Sequence, residues 1–114
     1  MATDTDVTKS ELIAFVTAPD EGEATRLAEA LVSERLAACV NIVGGIESIY
    51  RWEGKIARDR EVLLIIKTTG ERYDALERRV KELHSYTTPE VIAFSVERGS
   101  REYLDWLRRS TEVS

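Results

Sequence analysis

One cysteine, Cys39, stands in this 114-residue chain, so no disulfide can form within it and the fold must hold through its apolar core. A single histidine, His84, has neither a second histidine one helical turn away nor a cysteine nearby, the spacings from which dedicated metal sites are built. There is no basic excess: 16 Lys and Arg against 21 Asp and Glu give a net charge of −5, which weighs against nucleic acid or an anionic membrane as partner. No apolar run approaches the roughly 20 residues of a membrane span, and Met1 to Ser10 has no basic-then-apolar signal pattern. With the lone thiol, these absences place the protein in the cytoplasm. Glycine-rich phosphate loops, H-E-x-x-H, C-x-x-C and a nucleophile elbow are all missing, so the chain does not read as an enzyme. Cys39 and His84 form the one nucleophile and base pair on offer, and neither has flanking sequence that argues for catalysis. No cofactor is required.

The informative stretch lies in the middle. An apolar run from Ala38 bends at Gly44-Gly45, ends in Tyr50 and Trp52, turns at Glu53-Gly54 and returns as Glu61 to Thr68. Fifteen residues at roughly 3.3 Å each make an arm of about 50 Å, far longer than the roughly 13 Å radius of gyration of a domain this size. An exposed ribbon of that length needs a partner to cover it. Around it, Leu12 to Val16 reads as a buried strand. Asp20 caps a helix, with Glu23 three residues on and Ala24, Leu27, Ala28 and Leu31 at helical spacing. A second helix opens at Gly70-Glu71 with Tyr73, Leu76, Val80 and Leu83 on one face. It stops between His84 and Thr88, before Pro89, which launches a strand from Val91 to Val96. Ser100 caps a short third helix carrying Tyr103, Leu104, Trp106 and Leu107. Residues 1–10 read as a disordered tail and 11–114 as one domain.

The order β-α-β-β-α-β-α is a split βαβ pattern with a terminal helix: an α+β, ferredoxin-like sandwich. Right-handed crossovers put both crossover helices on one face of a four-stranded antiparallel sheet. The apolar character of the strands on both faces then predicts that subunits associate through the other face and through the long ribbon.

Six motifs now share a likeness: Thr17-Ala18-Pro19-Asp20-Glu21, Leu36-Ala37-Ala38-Cys39-Val40-Asn41, Tyr50-x-Trp52-x-Gly54-Lys55, Leu64-x-x-Lys67-Thr68, His84-x-Tyr86-x-x-Pro89-Glu90 and Tyr103-x-x-Trp106-Leu107. In this order the chain resembles the CutA divalent-cation-tolerance family. The resemblance implies a ferredoxin-like subunit, a homotrimer built like the PII signalling proteins, and a role in tolerance of copper and other divalent metals by binding rather than catalysis. Some bacterial relatives carry a cysteine before the Thr-Ala-Pro-Asp motif and two adjacent histidines before Pro-Tyr, a set linked to copper; the corresponding residues here are Val16, Leu83 and His84, with Ser85 for the proline.

Each candidate residue has a structural reading beside its functional one. Cys39 is a soft metal ligand or a small buried strand residue. His84 is a ligand or a surface cap stabilised at a helix C-terminus. Tyr50 and Trp52, two apart, share a ribbon face and suit interface packing. Lys67 either holds a small anion with the amides of the next helix, or is a solvated strand end or the salt-bridge partner of Glu90. Tyr86 and Glu90 flank the turn before the last strand and offer a hydroxyl and a carboxylate to an intersubunit cleft, reached by Trp52 of an arm, or serve in turn packing and as a strand-end charge. We therefore expect a metal-response homotrimer, with weak, micromolar or poorer Cu(II) binding dependent on His84. The alternative is a PII-like sensor holding a small anion or metabolite in the cleft and signalling to a protein partner.

Overall fold

The computed structural model describes residues 10–113; the tail expected over residues 1–10 lies outside them except for Ser10. Seven elements follow in the order β1 (Glu11–Ala18), α1 (Glu21–Ser33), β2 (Cys39–Trp52), β3 (Lys55–Thr69), α2 (Gly70–Leu83), β4 (Val91–Ser95) and α3 (Arg101–Ser110). The four strands make one antiparallel sheet in the order β2-β3-β1-β4, the α+β split βαβ arrangement that the element order predicts.

Local signals fix the ends of the helices. Asp20 caps α1 by accepting the Glu23 N–H at 2.8 Å. Ser100 caps α3 through the Tyr103 N–H at 3.2 Å. At the other end of α1, the Arg35 N–H reaches Val32 O and the Leu36 N–H reaches Leu31 O, a Schellman closure. Arg35 holds the left-handed position of that motif with φ 61°, where glycine is usual.

The register sorts the strands into two faces. Ala14, Val16 and Ala18 of β1 lie opposite Ile66, Leu64 and Val62 of β3, and all six are buried. They meet Ala24, Leu27 and Leu31 of α1 and Leu76 and Val80 of α2 in one apolar core. Each such side chain, fully buried, contributes about 1.5–3 kcal/mol. Leu83, expected on the buried face of α2, is instead 40% exposed at the helix end.

Beyond the body, β2 and β3 continue as a two-stranded arm whose turn is Glu53-Gly54, with φ 50° and 78°, the primed geometry that closes a two-residue hairpin. The return strand starts at Lys55, six residues before the Glu61 that hydropathy suggests. Lys55 to Arg60 is solvated on both faces, so it carries no apolar alternation, while its ladder with β2 still holds it extended. The arm stretches the chain to 48 Å in its longest dimension and raises its radius of gyration to 15.2 Å.

Candidate functional site

The side of the sheet away from the helices is the most unusual surface of the chain. Ile13, Phe15, Leu63 and Ile65 alternate with the core residues and are only half-buried. Beside them Ile92 and Phe94 of β4 are 53% and 48% exposed. Phe15 and Phe94 meet edge to face, with ring centroids 5.3 Å apart.

This apolar surface runs on into the arm because of a bulge. Val43 pairs with Leu63 and Ile46 with Glu61, so Gly44 and Gly45 together oppose Val62 alone. One extra residue inverts the alternation of β2. Before the bulge Asn41 and Val43 share the side of Ile65 and Leu63; after it Ile46, Tyr50 and Trp52 do. Were both glycines paired one to one instead, the two arm aromatics would face the helix side. Gly45 supplies the positive φ of 69°, and at Gly44 a Cβ would meet the Glu21 carboxylate. Trp52 is 61% exposed at the tip of the arm.

A hydrogen-bonded loop sits at the base of the arm. His84, expected as a solvated helix cap, is buried, with its side chain 0% exposed. Its Nε2 lies 2.7 Å from Thr17 O, and its Nδ1 accepts the Tyr86 N–H at 3.0 Å. A carbonyl can only accept, so Nε2 donates to Thr17 O, and Nδ1 also lies 3.3 Å from the Glu23 carboxylate. Glu23, three residues past the α1 cap, turns its carboxylate across to accept from Ser85 N at 2.9 Å and Ser85 Oγ at 3.1 Å. Tyr86 donates its hydroxyl to Glu61 Oε2 at 2.7 Å. Burial first, then that hydrogen bond and the nearby negative charges, push the Tyr86 phenol well above the ordinary tyrosine range. Tyr50 makes a parallel bond to Asp59 one turn of the ladder further out.

At the opposite end of the same face, Cys39 and Lys67 are direct cross-strand neighbours. Lys67 donates to Asn41, and Cys39 Sγ lies 4.0 Å from the same oxygen. α3 closes this end: Arg108 is ion-paired with Glu11, and burial, then Cys39, raise the Tyr103 phenol.

One chain thus separates residues that the sequence grouped. Tyr86 and Glu90 lie at the arm base, and Lys67 lies six β3 positions from Glu61, about 20 Å away along the strand. Lys67 bonds Asn41 rather than Glu90. Cys39 and His84 sit at opposite ends of the sheet and form neither a dyad nor a common metal site. Among the described residues no three His, Cys, Asp or Glu side chains converge on a metal position. His84 has no free ring nitrogen, and the thiol of Cys39 is paired in register with an ammonium, so the donors of one chain do not fit a resident metal ion. Glu23, Glu61 and Asn41, which hold these two clusters together, were not among the site residues that the sequence singled out.

Comparison with known proteins follows the same lines. The family model described as CutA1 divalent ion tolerance protein matches residues 12–110. The divalent-cation tolerance protein CutA of Thermus thermophilus is 54% identical over 101 residues, covering 89% of this chain and 98% of that one. Human protein CutA is 50% identical over 99 residues, which are 87% of this chain and 55% of the human protein. Among solved structures, CutA1 from Oryza sativa superposes with a TM-score of 0.90 at 50% identity, covering 96% of this chain and 100% of that one. The Thermus thermophilus structure gives 0.88 at 53% identity, covering 90% and 99%. The rice and Arabidopsis relatives are named chloroplastic and the Archaeoglobus fulgidus structure is described as periplasmic, so the family occupies several compartments. Among the described residues, no helix is long and apolar enough to cross a membrane.

Proposed function

The chain belongs to the CutA1 divalent ion tolerance family, and we propose that it serves divalent-cation tolerance as a cytoplasmic homotrimer that binds rather than catalyses. The observation that carries this reading is the apolar sheet face of Ile13, Phe15, Leu63, Ile65, Ile92 and Phe94, continued by Trp52 on the arm. A face of this kind is the surface that subunit association removes from water. Direct cation contact, copper included, would need ligands supplied by several subunits, or carboxylates that favour harder ions, and is expected to be weak.

A second reading is a PII-like sensor. Lys67 stands at the end of the apolar face, and beside it lies Asn41, so an assembled cleft would offer a small anion an ammonium and an amide. The two readings differ in ligand: a divalent metal for the first, an anion for the second.

Growth in graded Cu(II) and Cd(II) tests the first reading. A bacterial host lacking its own family member should regain tolerance with the wild-type chain. Trp52→Ala, which removes an arm anchor worth about 2 kcal/mol if buried in an interface, should restore less. Full rescue by Trp52→Ala at equal protein level would detach the arm from the function, and no rescue by wild type would contradict the role itself.

A further inference from the structure

The helix layer carries a second surface of different character. A groove of about 310 Å³ runs between the end of α1 and the outer side of α2, lined by Leu36, Arg72, Ala75, Arg78, Arg79 and Glu82. Glu34 completes the lining and holds Arg79 through Nε and Nη2, and Glu82 takes Arg79 Nη1. Both carboxylates are therefore spent on one guanidinium. Arg72 donates Nε to Arg35 O at 3.2 Å, which fixes the plane of its fork and leaves its two terminal nitrogens for an outside acceptor. Arg78 is exposed, with no hydrogen bond or ion pair among the described residues. In a chain of net charge −5, the lining carries a net charge of +1, with the donors of Arg72 and Arg78 turned outward.

The backbone beneath it is strained in the same place. Arg35 occupies the left-handed Schellman position, where glycine is usual, and the carbonyl it presents is the one that orients Arg72. The floor is apolar, formed by buried Leu36 and half-buried Ala75. Since α1 and α2 cover the sheet face opposite the open one, association through the open face leaves this groove in solvent.

We propose that this groove docks an acidic peptide segment of a partner protein. An extended segment would place an apolar side chain over Leu36 and Ala75 and flanking carboxylates on Arg72 and Arg78, the planar pairing that guanidinium favours. From Arg72 to Glu82 the groove spans ten helical positions, about 15 Å, room for four or five extended residues. A compact phosphate or a nucleic acid backbone suits it less well, because neither would cover the apolar floor of Leu36 and Ala75.

Fluorescence anisotropy with a fluorescein-labelled heptapeptide, glutamates flanking a central leucine, tests this on the full chain at low salt. Wild type should bind. Arg72→Glu combined with Arg78→Glu should weaken binding by about tenfold or more, while Arg101→Glu combined with Arg109→Glu, on α3, should change it little. Backbone amide shifts on peptide addition should centre on Leu36 and Ala75, which reads the site without any variant. Absence of binding by wild type, equal loss in the α3 variant, shifts centred elsewhere, or displacement by equimolar inorganic phosphate or oligothymidylate would each overturn the proposal.

Discussion

His84 carries more of the local structure than any other single side chain at the arm base. Its two nitrogens tie β1 to the loop that follows α2, and its neighbours Ser85 and Tyr86 extend the tie to α1 and to β3. His84→Ala leaves the Thr17 carbonyl and the Tyr86 N–H buried without partners, and should cost about 2 kcal/mol of stability in chemical denaturation. Its effect on Cu(II) affinity in calorimetric titration should be small. Unchanged stability with a large loss of Cu(II) affinity would restore His84 as a metal ligand. Tyr86 gives a pH signature. Its phenol is held neutral in the folded chain above the value of about 10 at which it ionises when unfolded. The stability it contributes is complete below that pH and is lost as pH rises through the alkaline range toward the folded value. Tyr86→Phe should flatten the alkaline slope of the wild-type denaturation midpoint, and an identical slope in both proteins would show that the Glu61 bond does not hold in solution.

The two-glycine bulge decides what the arm can do. Deleting Gly45 removes the extra residue but leaves Ile46 opposite Glu61, Tyr50 opposite Ala57 and Trp52 opposite Lys55, so the aromatics keep the open side and what is lost is the bend that the bulge gives the arm. Such a variant should keep a folded body by circular dichroism and, with its arm aimed differently, assemble more weakly in sedimentation velocity. Full assembly would mean that the bend takes no part. At this scale much was legible in advance: element order, the caps at Asp20 and Ser100, the Glu53-Gly54 turn and the excess length of the ribbon all carry local signals. Other features were hidden because their cause is long-range. The solvated return strand Lys55 to Arg60 is strand by pairing alone. The Glu23 carboxylate is drawn from its own helix cap by Ser85, 62 positions away, and no spacing in the sequence announces that bond. Tyr86 and Lys67, grouped in one cleft by their chemistry, prove to sit six β3 positions apart within a chain, since Tyr86 bonds Glu61.

At the scale of the molecule, one physical fact dominates: a single chain buries one face of its sheet and leaves most of the other apolar and open, with a long two-stranded arm reaching out from the body. A radius of gyration of 15.2 Å, against about 13 Å for a compact chain of this length, measures that incompleteness. The association proposed above would cover that face and make folded subunits more stable as concentration rises, by mass action. The most direct measurement is the solution mass by light scattering coupled to size exclusion, over a hundredfold range of concentration. Three times the 12.9 kDa chain mass at micromolar concentration, with a thermal midpoint that rises with concentration, is the expected result. A monodisperse species at the mass of one chain would contradict the account.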